Sequence, residues 1–295
     1  MDKYRKSAVP IVLFLLPAFL IYTILEVVPI IQTFYFSFYE WNGIGGVALK
    51  FVGIENFTDL MGFKGFWLSI KNVIWFLILS LFTQIPIGFF LAILLSTYCK
   101  GYRIFKAAFF SPLVLSTTAV GLMWYFILFP GTGVLNTILT SIGMENFTTS
   151  WLTDKNTALN SLILITAWIS SGYYLTIGFA AISSIPDEIM EAGLIDGADG
   201  IKKVFYITLP LIWESVKISV ILVITGILKI FEIVFVMTQG GPNGLTEVPV
   251  SLMYNEAFKY GHYGRGSAIA VIVFLMSVFI TIISLKLMQR KSYDE

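Results

Sequence analysis

Ser183–Pro210 reads SSIPDEIMEAGLIDGADGIKKVFYITLP, with Asp187, Glu188, Glu191, Asp196 and Asp199 crowded into thirteen positions. Pro186 can open a helix, and Asp187 and Glu188 then fall in a first turn where the helix dipole favours carboxylates. On such a helix Met190 and Leu194 are i,i+4 neighbours, with Ile201 seven residues further along the same apolar stripe. Gly193, Gly197 and Gly200 would permit a sharp bend or close approach by another backbone. An amphipathic loop helix of this kind either lies at a lipid surface or docks on a protein. A lipid-surface helix favours Lys and Arg on its polar face, whereas the acids here point to a protein partner.

The segment is embedded in an apolar chain. The 295 residues are 57% hydrophobic and only 13% charged, with a mean hydropathy of +0.84. Soluble domains carry roughly twice that share of charge, about 25%. Asn72–Cys99, Ala107–Met144, Asn156–Pro186 and Gly266–Leu285 contain no charged residue. Each is long enough for a bilayer-spanning helix, which needs roughly 20 apolar residues. The pattern predicts one transmembrane domain over residues 1–295, with spans at about 9–29, 73–97, 107–129, 159–182, 215–237 and 266–287. The loop 183–210 then joins spans four and five. The first apolar stretch is longer than a signal-peptide core and continues through Glu26 and Pro29 into aromatic sequence, so it is read as a retained span.

Basic residues set orientation. With the N-terminus inside, Lys3, Arg5, Lys6, Lys100, Arg103, Lys106, Lys202, Lys203, Lys217, Lys286, Arg290 and Lys291 all fall on the inner side. The outer side holds half as many: Lys50, Lys64, Lys71, Lys155, Lys259 and Arg265. Both termini and the acidic loop are therefore expected in the cytoplasm. Two outer Asn-x-Thr triplets, at Asn56 and Asn146, fit the glycosylation pattern but are short enough to arise by chance.

Several functions are excluded. A net charge of +1 without a basic tract leaves no footprint for nucleic acid. One cysteine, Cys99, and one histidine, His262, supply neither a disulfide framework nor a His-pair metal motif. No phosphate-binding loop or Rossmann fingerprint is present, so any ATP that drives this chain is bound elsewhere. Within the spans, Thr166, Ser170 and Tyr173 fall at i, i+4 and i+7 of span four, with Trp168 and Tyr174 beside them. Aromatic rings with a few convergent polar groups suit a sugar, and Ser and Thr also serve as interhelical packing contacts. Thr225, Lys229 and Glu232 are expected on one face of span five, where a charge should meet a cavity or a partner. Lys229 and Glu232, three apart, form either part of a pathway or a structural ion pair.

The loop resembles the Glu-Ala-Ala loop of ATP-binding-cassette (ABC) importer permeases. Glu191, Ala192, Gly197, Ile207, Leu209 and Pro210 stand at the family's spacing, and Gly193 replaces its second Ala. FLLPAFLIY in span one, FVGIENF at Phe51–Phe57, Phe231-Glu232, Thr238-x-Gly240-Gly241-Pro242, Tyr254 and Ala257-Phe258 are similar to the carbohydrate-uptake, maltose-permease-like branch. The resemblance implies an all-α integral membrane fold of six transmembrane helices. A cytoplasmic coupling helix would lie between spans four and five, as in a type I ABC importer permease. It implies coupling residues at Glu191, Ala192, Gly193, Asp196, Gly197 and Pro210, and a sugar pathway around Ser170–Tyr173 and Lys229. It implies as partners a second homologous permease, an ATPase dimer that binds ATP and Mg, an extracytoplasmic solute-binding protein and an oligosaccharide. No cofactor and no catalysis are then expected on this chain, which would sit in a bacterial cell membrane. The competing readings are an ion-coupled transporter using Lys229 and Glu232, and an intramembrane enzyme, for which no nucleophile–base constellation is visible.

Overall fold

The structure is a computed structural model that describes residues 8–96 and 101–288. Lys3, Arg5, Lys6, Cys99, Lys100, Arg290, Lys291 and Thr97, the expected end of span two, lie outside the described residues. In chain order the elements are helices α1 Ala8–Tyr22 and α2 Val28–Phe36, the two-residue strands β1 Tyr39–Glu40 and β2 Lys50–Phe51, then α3 Glu55–Gly62, α4 Lys64–Ser96, α5 Tyr102–Val114, α6 Thr117–Ile127 and α7 Val134–Ser141. There follow α8 Ala158–Ser183, α9 Asp187–Ile195, α10 Ile201–Lys203, α11 Leu209–Leu211, α12 Trp213–Leu228, α13 Glu232–Met237, α14 Pro249–Tyr254 and α15 Tyr263–Met288. Among the described residues, four helices are long and apolar enough to cross a membrane: Pro10–Phe36, Lys64–Ser96, Ala158–Ser183 and Tyr263–Met288. Two bent pairs raise the number to six.

Those bends correct the expected boundaries. Span three is two helices, Tyr102–Val114 and Thr117–Ile127, at 95°. Pro112 cannot donate to the ladder, and Leu115 and Ser116 turn to extended backbone, with Ser116 at the start of α6. Span five is reached through Ile201–Leu211, bent by 70° against Trp213–Leu228. It is also interrupted after Leu228: Lys229 closes α12 and Phe231 precedes α13. Span two starts at Lys64, about two and a half turns before the expected Val73.

Hydroxyls in the apolar helices bond back to their own backbone. Thr23, Thr83, Thr166, Thr176, Ser219, Thr225, Ser277 and Ser284 each donate to the carbonyl four residues earlier, at 2.7–2.9 Å. A hydroxyl facing hydrocarbon has no water to use, and this bond satisfies it locally.

The chain packs as two compact units, Lys64–Leu252 with Val273–Glu295, and Met1–Phe63 with Met253–Ile272. The larger one is built on α4 and α8. A Cβ on Gly88 would overlap Tyr174, one on Gly178 would meet Ala92 at 3.0 Å, and one on Gly172 would overlap the Phe109 carbonyl of α5. These glycines bring backbones into contact, the usual means of association for helices in lipid. Val73, Phe76, Phe89, Leu162, Ile163, Val223, Ile227 and Leu228 fill the core between them.

In the smaller unit β1 and β2 pair antiparallel, Tyr39 opposite Phe51 and Glu40 opposite Lys50. Lys50 donates to Glu40 at 2.9 Å, and this bond and charge hold the Glu40 carboxyl below its ordinary pKa. The Asn56 amide donates to the carbonyls of Ser37 and Tyr39 at 2.9 and 3.0 Å. Its nitrogen is thus committed to folding, which argues against glycosylation there. The buried carboxylate of Glu256 lies 2.9 Å from His262 Nδ1 and 3.8 Å from Arg265 Nε, and the Arg265 guanidinium sits over Phe63. The lone histidine is thereby a structural partner of Glu256.

Candidate functional site

The acidic loop leaves α8 at Ser183 and starts α9 after Pro186, with Asp187 and Glu188 in the first turn as expected. The helix ends at Ile195, earlier than the Met190–Leu194–Ile201 stripe requires, so Ile201 belongs to the next element. Gly197 is the reason. It has φ +77°, its N–H bonds to Leu194 O at 3.1 Å, and Ala198 N–H bonds to Gly193 O at 2.8 Å. This is a Schellman stop, which needs a residue in the left-handed region. Gly200, at φ +53°, makes the second turn, and Asp199 accepts its N–H at 2.6 Å.

Gly193 is the one buried residue of α9, and the tip of Ile207 occupies the space a methyl there would need. The substitution that sets this chain apart from the Glu-Ala-Ala pattern is thus filled by the motif's own isoleucine. Glu191, Ala192, Asp196, Gly197 and Pro210 are all exposed. Apolar side chains stand exposed beside them, including Ile195 at 87%, Ile201 at 76% and Tyr206 at 78%. At the root of the loop a cleft of about 190 Å³ opens between Ala181, Ser184, Ile185, Pro186 and Ile189 on one side and Leu211, Ile212 and Ser215 on the other. The helix thus carries exposed acidic residues, has exposed apolar side chains beside it and ends on a glycine stop.

The residues singled out in the spans separate into groups. Thr166, Ser170 and Tyr173 share one face of the unbroken α8. Tyr173 and Trp168 are about 40% exposed, and Trp168 meets Trp124 edge-to-face at 5.6 Å. Tyr174 points the other way, buried against Gly88 of α4. Thr225 is half-buried on α12 and bonds to Ile221 O. Lys229 and Glu232 are both exposed, and the break between them removes the common helix face expected for Thr225, Lys229 and Glu232. Among the described residues, neither forms an ion pair. Each charge instead stands at the helix end whose dipole favours it, the cation closing α12 and the carboxylate opening α13. No proton relay between the two is visible. Among the described residues, no group of His, Cys, Asp and Glu could hold a metal ion.

Sequence reading missed the buried polar side chains of span two. Ser80 and Gln84 are buried, and Asn72 is buried where α4 meets the loop after α13. Their only sequence signal is polar type within an apolar run.

The chain is similar over almost its full length to known permeases. It is 32% identical over 276 residues to the probable ABC transporter permease protein YurN of Bacillus subtilis, covering 93% of this chain and 94% of that one. It is 30% identical to the probable starch degradation products transport system permease protein AmyD of Thermoanaerobacterium thermosulfurigenes, covering 99% and 98%. It is 31% identical to the multiple sugar-binding transport system permease protein MsmF of Streptococcus mutans, covering 89% of each. A crystal structure of a bacterial ABC transporter that imports the acidic polysaccharide alginate contains a chain of the same fold, with TM-score 0.85, 23% identity and 97% of both chains covered. No protein-family model matches the chain. With a permease fold, membrane-spanning helices and these relatives, the chain belongs to the ABC transporter permease family, in the branch that includes sugar-uptake permeases.

Proposed function

We propose that this chain is one of two permease subunits of a bacterial ABC importer for an oligosaccharide. In this reading α9 seats in a cytoplasmic ATPase that binds ATP and Mg. An extracytoplasmic binding protein delivers the sugar, and both termini lie in the cytoplasm. The observation that carries the coupling role is α9 itself, exposed, acidic and apolar, and rigidly stopped at Gly197. Relatives named for starch products and multiple sugars support the substrate class.

The loop transmits work because it is continuous with both spans at its root. ATPase closure on ATP displaces α9. The displacement reaches α8 directly and α12 through the bend at Ile212, shifting the bundle between inward- and outward-open states. Such a switch needs only that ATP and sugar bind the two states unequally. Trp168, Tyr173, Ser170 and Thr166 on α8, with Thr225, Lys229 and Glu232 on span five, are the proposed pathway. Exposed rings would take the apolar faces of a sugar, and the hydroxyls and charges its rim. Tyr174 contributes by fixing α8 against α4.

Glu191→Lys tests the coupling role in the purified transporter. The protein should insert normally, while co-purification of the ATPase and sugar-stimulated ATP hydrolysis fall by about tenfold or more, a loss of at least 1.4 kcal/mol. Association and stimulation equal to wild type would remove α9 from the coupling path.

A further inference from the structure

The loop Thr238–Val248, which follows α13, is braced from within. The Thr238 and Thr246 hydroxyls lie 2.7 Å apart, and Thr246 donates to Gly241 O at 3.0 Å. The Glu247 carboxylate fills the space a Cβ on Gly240 would need, and it accepts a hydrogen bond from Ser251. Gln239 and Asn243 both stand at positive φ, so the path of the chain is tightly specified. Asn72 of α4 ties this block to span two. Its side-chain nitrogen lies 3.2, 3.2 and 2.9 Å from the carbonyls of Gly244, Leu245 and Glu247, and the residue is 6% exposed. Two amide hydrogens are shared among three part-buried carbonyls, which lose this donor if the contact opens.

At its other end the same block is α13, which packs on α6 so closely that a Cβ on Gly121 would meet Val236 at 3.0 Å. Toward α12 the helix is interrupted. The N–H groups of Lys229 and Ile230 close the last turn of α12 onto Gly226 and Ile227, and a new ladder starts with Phe235 N–H to Phe231 O. Three residues at element ends are what a hinge requires.

We propose that Asn72 is a positioning residue for transport: it bolts the loop Thr238–Val248 and α13 to span two as one body, which turns against α12 at Lys229–Phe231. The inference rests on the transport function proposed above. It gives a role both to the break in span five and to the bracing of the segment beyond it.

The test pairs Asn72→Cys with Leu245→Cys in a Cys99→Ser background, in vesicles carrying the whole transporter. Reduced, the pair lacks the amide clamp, and uptake should fall about tenfold, the scale of one lost coupling contact. Asn72→Ala should fall equally, with an unchanged KM for the loaded binding protein and continued ATP hydrolysis. Oxidised, the disulfide replaces the clamp, and uptake should return to near the wild-type rate. A crosslinked form that stays inactive shows that the contact must open, and a reduced form that transports normally shows that it positions nothing; either overturns the proposal. A pair that neither oxidation nor a short bismaleimide joins is not held in contact, which also overturns it. Wild-type vesicles assayed alongside report on the transport reading, and crosslink yield reports on the clamp even if that reading fails.

Discussion

Gly193 shows how a single residue can depart from a motif while another residue of the same motif fills the space it leaves. The sequence marked it as a gap in the Glu-Ala-Ala pattern. What it could not show is that Ile207, fourteen residues on, folds back into that gap. Alanine at this position regains about 1 kcal/mol of helix propensity, and its methyl meets the far end of a flexible side chain. Gly193→Ala should therefore leave the thermal midpoint and uptake of the complex near wild type, and Gly193→Ala with Ile207→Val should do no worse. Gly193→Leu should cost about 1–3 kcal/mol by overpacking, read as a lowered midpoint together with loss of ATPase binding. A Gly193→Leu protein as stable and coupled as wild type would contradict the packing described. Tyr174 teaches the reverse lesson. Its neighbours on the helix face suggested a pathway residue, but a helix positions adjacent residues about 100° apart, and only contact with Gly88 decides which way it points.

At the scale of elements, six apolar stretches were legible and their interruptions were not. Hydropathy counts the length of apolar sequence and is blind to direction, so a helix bent by 95° reads as one span. Pro112 and Ser116 mark that bend in retrospect. The break at Lys229–Phe231 has no Gly or Pro at all; its only trace is a charged pair in an apolar run. Asn72 stands one residue before the expected start of span two at residue 73, and hydropathy gives a lone amide there no role. Helix packing carries its own prediction. Gly172 touches the backbone of α5 at Phe109, which cannot move aside as a side chain can. Gly172→Leu should separate α5 from α8, lowering the thermal midpoint of the complex by an amount equivalent to about 3 kcal/mol or more. Gly62→Ala, with open space around it, should not. Equal effects of the two substitutions in a thermal-unfolding series would refute close packing at Gly172.

For the whole molecule, placement of the few charges is more informative than their scarcity. Acids gather on α9, which is exposed and stopped at Gly197, and Lys229 and Glu232 flank the break in span five with no ion pair among the described residues. The sequence carries no phosphate-binding loop motif, and the proposed function makes the chain one part of an assembly. Vesicles containing the two permeases and the ATPase, with ATP enclosed on the ATPase side and the sugar-loaded binding protein outside, test that claim directly. Uptake measured at fixed proton and sodium gradients should require ATP and the binding protein and be abolished by Glu191→Lys. Uptake that persists without ATP and follows an imposed ion gradient would contradict the account.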